Sequence, residues 1–115
     1  KLRVQELSAL SGGKFVTVPG EVCGAQHQFL VDSGASHNFL SHEVVKNLKC
    51  DTYAGPKVNV RLADQSVLES NTYIKLMTSF QGGVKAFLKF TVLAAAVPPI
   101  LGMPFLKCCN PYIDW

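Results

Sequence analysis

A carboxylate followed by a run of small residues is the part of this 115-residue sequence best suited to chemistry. Asp32 ends the apolar run Phe29–Val31, and the four residues that follow are Ser33, Gly34, Ala35 and Ser36. Glycine permits close backbone approach, and amide or hydroxyl donors can hold a carboxylate in place. The tripeptide alone also fits an Asx-type turn at a strand end, so the flanking sequence must decide between the two.

Short strands are predicted on the N-terminal side of this loop. Lys14–Val18 alternates as a strand does, Pro19-Gly20 is a turn signal, and Gln28–Val31 leads into Asp32. A first strand is expected near Val4–Leu10. We therefore expect two strands of a sheet to lead into the acidic loop.

A helix and a hairpin are predicted after the loop. Ser41–Leu48 has a capping residue, an early acid and apolar residues at helical spacing, which predicts about two helical turns. Lys57–Leu62 alternates and Val67-Leu68 resumes the pattern, which predicts a hairpin with a polar tip at residues 63–66.

Further strands are expected at Thr72–Met77, Val84–Leu93 and Tyr112–Trp115, with a turn at residues 81–83. The uncharged run Phe90–Leu106 contains three prolines, so it predicts buried strands and a turn rather than a membrane span. The Phe and Val stripe over residues 87–92 is interpreted as core. One mostly-β domain over residues 1–115, with one short helix, is the predicted fold.

The composition excludes several classes of function. Hydrophobic residues make up 48% and charged residues 17%, which predicts a buried globular core. The net charge of +3 has no basic block, so nucleic acid is not an expected partner. His42-Glu43 begins a zinc motif, but Lys46 stands where its second histidine belongs, and no metal or other cofactor is expected. Cys23, Cys50, Cys108 and Cys109 lack metal spacing, and the adjacent pair favours reduced thiols and a cytosolic setting.

These segments together resemble a known family. Residues 31–40 read VDSGASHNFL, residues 100–106 read ILGMPFL, and residues 110–115 read NPYIDW. In this order, with a polar hairpin between the first two, they resemble the retropepsin-like aspartic proteases, most closely those of gypsy-type long-terminal-repeat retrotransposons. The resemblance implies a closed β-barrel that is half of an acid protease, with two copies forming the active site.

The resemblance also implies roles for individual residues. Asp32 would be catalytic, and Ser33 and Gly34 would brace the two loops across the dimer axis. Ala35 and Ser36 would complete the active-site loop. The flap over the substrate would have its tip at Ala63, Asp64, Gln65 and Ser66, which are more polar than the flaps of retroviral enzymes. Pocket walls or their support would come from Leu30, Ile100, Leu101, Gly102 and Met103, with core the expected role for Leu30 and Ile100.

Acid–base hydrolysis of a peptide bond needs one ionised and one protonated carboxylate. Asp51, Asp64 and Asp114 are not followed by Ser or Thr and Gly, so one chain holds half of such a site. A homodimer would bring two copies of Asp32 together, and like charges about 3 Å apart would share one proton. The chain termini would interleave into an intersubunit sheet.

The expected function is a homodimeric endopeptidase that cleaves a retrotransposon polyprotein, bound in extended conformation, in the cytoplasm or within a virus-like particle. No membrane partner is expected. One alternative is a non-catalytic domesticated module for dimerisation or peptide binding, since fold does not fix function. Another is a ubiquitin-pathway protein with the same fold, which flanking ubiquitin-like sequence would distinguish.

Overall fold

The computed structural model describes residues 3–8, 14–61, 65–109 and 112–113. Within these residues the chain forms nine strands: β1 (Arg3–Ser8), β2 (Lys14–Val22), β3 (Ala25–Val31), β4 (Asn38–Ser41), β5 (Tyr53–Arg61), β6 (Val67–Phe80), β7 (Lys85–Leu93), β8 (Ile100–Leu101) and β9 (Tyr112–Ile113). Two helices, α1 (His42–Leu48) and α2 (Met103–Cys109), and a 3₁₀ turn at Gln81–Gly83 complete the described elements. The prediction of a mostly-β fold is confirmed.

Six of the strands close into a barrel. Their order is β2, β3, β8, β4, β7 and β6, and antiparallel pairing of β6 with β2 closes the ring. Strand β5 extends the sheet from β6, while β1 and β9 extend it from β2. Alternate residues of the ring strands point inward and are buried, including Val16, Val18, Phe29, Val31, Ile74, Leu76, Leu88 and Phe90. The barrel core thus lies directly beneath the loop that joins β3 to β4.

Strand β2 runs through Pro19-Gly20, so the prediction of a turn there is wrong. Strand β2 tolerates Pro19 because one edge of the strand has no partner at this position. On that edge the pairing with β1 ends at Thr17, and the pairing with β6 begins at Gly20. A side chain at position 20 would come within 2.8 Å of the Phe29 ring, so glycine makes room for the core. The turn instead falls at Cys23 and Gly24, which have φ values of 49° and 80°.

Helix α1 begins where the sequence predicts. The Ser41 hydroxyl accepts a hydrogen bond from the Val44 amide at 3.2 Å, which caps the first turn. Val45 is buried against the barrel, and Lys49 ends the helix in the left-handed region with φ 54°. The helix therefore fixes the exit from β4.

The predicted hairpin between residues 57 and 68 is also confirmed in its strands. Strands β5 and β6 pair antiparallel from Arg61 with Val67 back to Tyr53 with Tyr73. The tip residues Ala63 and Asp64 lie outside the described residues, as does Leu62.

Helix α2 was not predicted, and residues 103–109 are helical where a turn and buried strands were expected. Pro104 is compatible with this helix because it lies in the first turn, where a backbone N–H has no helical partner. The Phe105 and Leu106 amides both donate to the Gly102 carbonyl, at 3.1 and 3.2 Å. Phe105 is fully buried and contacts Phe80, with ring centroids 5.3 Å apart. The expectation of one short helix is thus corrected to two.

The end of α2 carries two adjacent free thiols, Cys108 and Cys109. Burial, and then the neighbouring Cys108, raise the pKa of the Cys109 thiol to about 11. Because the thiolate is the nucleophile, we expect iodoacetamide to modify Cys109 slowly at about pH 8 and about tenfold faster at about pH 9. Peptide mass spectrometry measures this, and Cys108→Ser should speed the reaction of Cys109. A rate equal to that of a free cysteine at pH 8 would contradict the raised pKa.

Residues 87–92, which were interpreted as core, alternate between buried and exposed positions over the first part of β7. Leu88, Phe90 and Val92 are buried, but Phe87 is 61% exposed, so the interpretation is wrong for Phe87. Phe87 lies opposite Met77, which is also exposed, on the outer face of the β6–β7 pair. The two-residue period of a strand accounts for the difference.

The two phenylalanines of β7 provide a matched test of the core. We expect Phe90→Ala to lower the free energy of unfolding by about 3–5 kcal/mol, because Phe90 is fully buried and packs against Phe29. Phe87→Ala should cost less than about 1 kcal/mol. Urea unfolding at one fixed protein concentration measures both. Equal losses would place Phe87 in an interface formed in solution.

The two terminal strands pair with each other within the single chain. Arg3 and Val4 of β1 lie opposite Tyr112 and Ile113 of β9, in parallel. The predicted terminal strands are therefore present over these residues, while Leu10, Asp114 and Trp115 lie outside the described ones. Interleaving of termini between two chains stays a prediction. Neither helix described here is long and apolar enough to cross a membrane.

Candidate active site

The loop between β3 and β4 holds Asp32 in a fixed geometry. The Gly34 amide donates a hydrogen bond to Asp32 Oδ1 at 2.9 Å, and the Ala35 amide donates to the Asp32 carbonyl at 3.1 Å. The Asp32 amide itself donates to the Leu101 carbonyl at 2.9 Å. The carboxylate is half-buried at the end of a buried strand. Both the backbone and the carboxylate of Asp32 are therefore held by backbone groups.

Strand β8 forms the floor of this loop. It pairs in parallel with β3, with Leu30 opposite Ile100 and Val31 opposite Leu101. On its other side Ile100 pairs with Phe39 of β4. Since β8 lies between the strands that enter and leave the acidic loop, it sets the spacing of the two ends of that loop.

Gly102 is the point of closest approach between the floor and the loop. A Cβ atom at this position would overlap the His37 carbonyl oxygen and come within 2.6 Å of the Ala35 carbonyl oxygen. The next amide, of Met103, donates to the Ala35 carbonyl at 2.9 Å. Only glycine allows the two backbones to lie this close.

Asn38 ties the loop to both neighbouring segments, and nothing in its local sequence marks that role. Its side chain is 1% exposed. Its Oδ1 accepts from the Gly102 amide at 2.8 Å, while its Nδ2 donates to the Lys89 carbonyl at 3.1 Å. Both ends of the amide are therefore satisfied, as a buried polar side chain requires. Asn38 holds β4, β7 and the Gly102 segment in one arrangement.

A cavity of about 640 Å³ opens over the acidic loop. Asp32, Gly34, Ala35 and Ser36 line one side, and the half-buried Leu30 and Ile100 line the base. Asp32 is the one carboxylate among the described residues that line it. An apolar base with a carboxylate at its edge suits a ligand that is largely apolar with polar backbone groups.

The opposite wall of the cavity comes from the predicted flap strand. Asn59, Val60 and Arg61 of β5 face the acidic loop across the cavity, and Val97 and Pro98 close one end. The alternation in residues 57–62 predicts the strand, but it does not indicate which loop the strand faces. This wall is therefore a part of the site that sequence reasoning did not identify.

His37 also belongs to this cavity. Its Nδ1 is 2.8 Å from the Ser36 hydroxyl, and its ring lies 6.0 Å from that of Phe39, between centroids. The sequence analysis did not single out His37, although its position directly after the small-residue loop is a signal that could have done so.

The other predicted site residues are distributed around the loop. Ser33 is exposed and lies beside the cavity lining rather than in it. Leu101 and Gly102 are buried in the floor, and Met103 is half-buried at the start of α2. Gln65, with φ 73°, and Ser66 are exposed at the start of β6. Leu30 and Ile100 line the cavity, where core positions were expected.

The described part of the chain offers no metal site. It contains no group of three or more His, Cys, Asp or Glu side chains arranged to hold an ion. Asp32, with the backbone donors around it, is the carboxyl group in the described cavity lining that can exchange a proton as an acid or a base.

The closed barrel with an Asp-Ser-Gly-Ala loop at its end defines a retropepsin-like protein. The fold is similar to that of EIAV protease, solved in complex with the inhibitor HBY-793, with a TM-score of 0.64 and 18% sequence identity. The match covers 86% of this chain and 91% of the EIAV protease chain.

A more specific assignment comes from the sequence. A family model for the PEG10/RTL1 protease domain matches residues 28–115, which is more than half of the chain. The chain therefore belongs to the PEG10/RTL1 protease domain family. A sequence comparison with curated proteins gives no match.

Proposed function

We propose that this chain is an aspartic endopeptidase that acts as a homodimer, with one Asp32 from each copy forming the catalytic pair. The observation that carries the proposal is the geometry of Asp32. Its carboxylate is oriented by the Gly34 amide at 2.9 Å at the edge of a cavity that contains no second described carboxylate. A single oriented acid of this kind is half of an acid–base pair.

The arrangement of the loop favours a twofold pairing. Ser33 and Gly34 are exposed, so the loop is open to a second copy rather than covered by its own chain. Small residues beside Asp32 leave room for the same loop from a partner. In a symmetric dimer the same surface meets itself, which brings equivalent carboxylates together at the axis.

In the proposed reaction the pair of Asp32 carboxyls shares one proton, because two negative charges at about 3 Å repel each other. The ionised carboxylate takes a proton from water while the protonated one donates to the peptide carbonyl oxygen. The water oxygen bonds to the carbonyl carbon, and the π electrons move to oxygen. The carboxyl that took the water proton then donates it to the amide nitrogen, while the other carboxylate takes the proton of one hydroxyl of the tetrahedral intermediate. The C–N bond breaks as the carbonyl re-forms, and the pair again holds one proton.

The proposed substrate is a polypeptide in extended conformation. It would lie in the cavity between the acidic loop and β5, where a strand-like backbone can pair with the flap while its side chains alternate between walls. The proposed flap tip is residues 63–66, and Leu30 and Ile100 are the proposed apolar contacts at the base. Residues 1–115 would form this one domain.

The proposed biological setting is polyprotein processing in a gypsy-type retrotransposon lineage. The family assignment to PEG10/RTL1 protease domains supports it. Four free cysteines support a reducing compartment, such as the cytoplasm or a particle assembled there.

The test combines mass in solution with cleavage. Purified protein is incubated with a peptide library at a mildly acidic pH of about 5. Sedimentation of the same sample should give a dimer, and mass spectrometry should find internal cleavage at a limited set of sequences. A monomer without cleavage would refute the proposal. A dimer that binds peptides tightly without turnover would instead establish the non-catalytic binding module.

A further inference from the structure

Two thiols that are 27 residues apart in the sequence lie side by side. The Cys23 and Cys50 sulfur atoms are 3.4 Å apart, and both cysteines are free. Cys23 occupies the tip of the β2–β3 hairpin, and Cys50 follows the left-handed residue that ends α1. Two separate elements of the fold thus bring these sulfur atoms together.

The two thiols differ in their exposure and in their hydrogen bonds. Cys23 is exposed, whereas Cys50 is half-buried beside a cavity of about 510 Å³ between α1 and β6. The Cys50 thiol donates to the Leu48 carbonyl at 3.4 Å, which leaves its sulfur free to accept from Cys23. This hydrogen bond, followed by burial and the nearby second thiol, raises the pKa of Cys23. The raised pKa lowers the fraction of Cys23 present as thiolate near neutral pH, so we expect the exchange to be faster at higher pH.

We propose that Cys23 and Cys50 form a redox modification site, which a small-molecule disulfide such as oxidised glutathione converts into an intrachain disulfide. The other cysteine pair does not compete, since Cys108 and Cys109 are adjacent in sequence and can bond only with strain.

The exchange proceeds in two displacements. The Cys23 thiolate attacks one sulfur of the glutathione disulfide, its S–S bond breaks, and one glutathione thiolate leaves. The Cys50 thiolate then attacks the Cys23 sulfur of the mixed disulfide and releases the second glutathione. The two thiol protons of the protein end on the two glutathione thiolates. The protein loses two hydrogens and two electrons, and the glutathione disulfide gains them.

Bond formation requires a small movement of the two sulfur atoms toward each other. The two sulfur atoms must approach from 3.4 Å to about 2.0 Å, and one of them lies on a hairpin tip. The resulting ring spans residues 23–50, so it encloses β3, the acidic loop, β4 and α1. Because a cross-link restricts the unfolded chain, the oxidised protein should unfold at a higher temperature than the reduced one.

The experiment treats the full chain with oxidised glutathione under native conditions. We expect an intact-mass loss of about 2 Da, a loss of two of the four thiols, and a Cys23–Cys50 cross-linked peptide after digestion. The double variant Cys108→Ser with Cys109→Ser should behave identically, whereas Cys50→Ser should stop at a glutathione adduct on Cys23. Thermal unfolding of oxidised and reduced samples measures the stabilisation.

Four results would overturn the proposal. One is the survival of all four thiols, and another is a cross-link that contains Cys108 or Cys109. The third is a Cys23–Cys50 bond formed between two chains rather than within one. The fourth is an unfolding temperature that is the same for the reduced protein and for the protein with the mapped disulfide, which would overturn the stabilising role. None of these measurements requires peptide cleavage, so they are independent of the proposed protease activity.

Discussion

Asp32→Asn should lower the rate of peptide cleavage by about 10⁴-fold, whereas Asp51→Asn should leave the rate within about twofold of that of the native protein. Asparagine keeps an oxygen that can accept from the Gly34 amide, so the 2.9 Å hydrogen bond and the loop are retained. What is lost is the carboxylate that exchanges protons with water and the substrate. Asp51 is an exposed acid outside the cavity lining and makes a matched control.

Initial rates of cleavage of one fluorogenic peptide measure this effect, with thermal unfolding as the check on folding. Both variants should unfold near the temperature of the native protein. Asp32 is the one carboxylate among the described residues that line the cavity. Cleavage at the native rate by Asp32→Asn would therefore contradict the proposed mechanism.

Mixtures of native and Asp32→Asn chains distinguish a shared site from one site per chain. If each active site needs two Asp32 side chains, equal amounts of the two proteins, after exchange of subunits, should give about one quarter of the activity of the same total amount of native protein. If each chain acts alone, the mixture should keep about one half. The measurement therefore tests the dimeric arrangement separately from the identity of the catalytic residue.

Gly102→Ala should lower the free energy of unfolding by about 2–3 kcal/mol and reduce cleavage by about 100-fold or more. The added Cβ meets the backbone oxygens of His37 and Ala35, and neither oxygen can turn away as a flexible side chain can. The loop must move, and with it the Gly102 amide that donates to Asn38 at 2.8 Å. Chemical unfolding and peptide cleavage report the two losses.

Gly55→Ala is the comparison variant. There the added Cβ meets two ring atoms of Tyr73 at 3.0 Å, and that half-buried ring can shift. We expect a cost of about 1 kcal/mol or less and unchanged cleavage. A Gly102→Ala protein as stable and as active as Gly55→Ala would show that the loop does not depend on the close backbone approach.

The elements with local signals were predictable from the sequence. The acidic loop, the Ser41 cap of α1 and the β5–β6 hairpin each depend on residues that are neighbours along the chain. Such signals act through turn chemistry, capping and two-residue alternation, which require no knowledge of the rest of the fold. The same local signals place Asp32 in a loop at a strand end, whereas its catalytic role was predicted from the resemblance of the surrounding segments to retropepsin-like proteases.

The remaining features depend on contacts between distant segments. Pro19 fits within β2 only because the gap between β1 and β6 leaves that position without a partner on one edge. Pro104 was interpreted as a helix breaker, although it lies in the first turn of α2. The bonds made by Asn38 and the β5 wall of the cavity also join residues far apart in sequence. No local pattern encodes these arrangements.

The hydrogen bond from the Gly102 amide to Asn38 affects when the acidic loop can form during synthesis of the chain. These residues are 64 positions apart, and β8 must insert between β3 and β4 before the acidic loop has its floor. Contacts of such long range form late in folding, because the intervening chain must first be closed into a loop. A nascent chain that ends before Ile100 therefore carries Asp32 without the segment that positions it. We therefore expect the site to mature only after β8 has been synthesised and has left the ribosome.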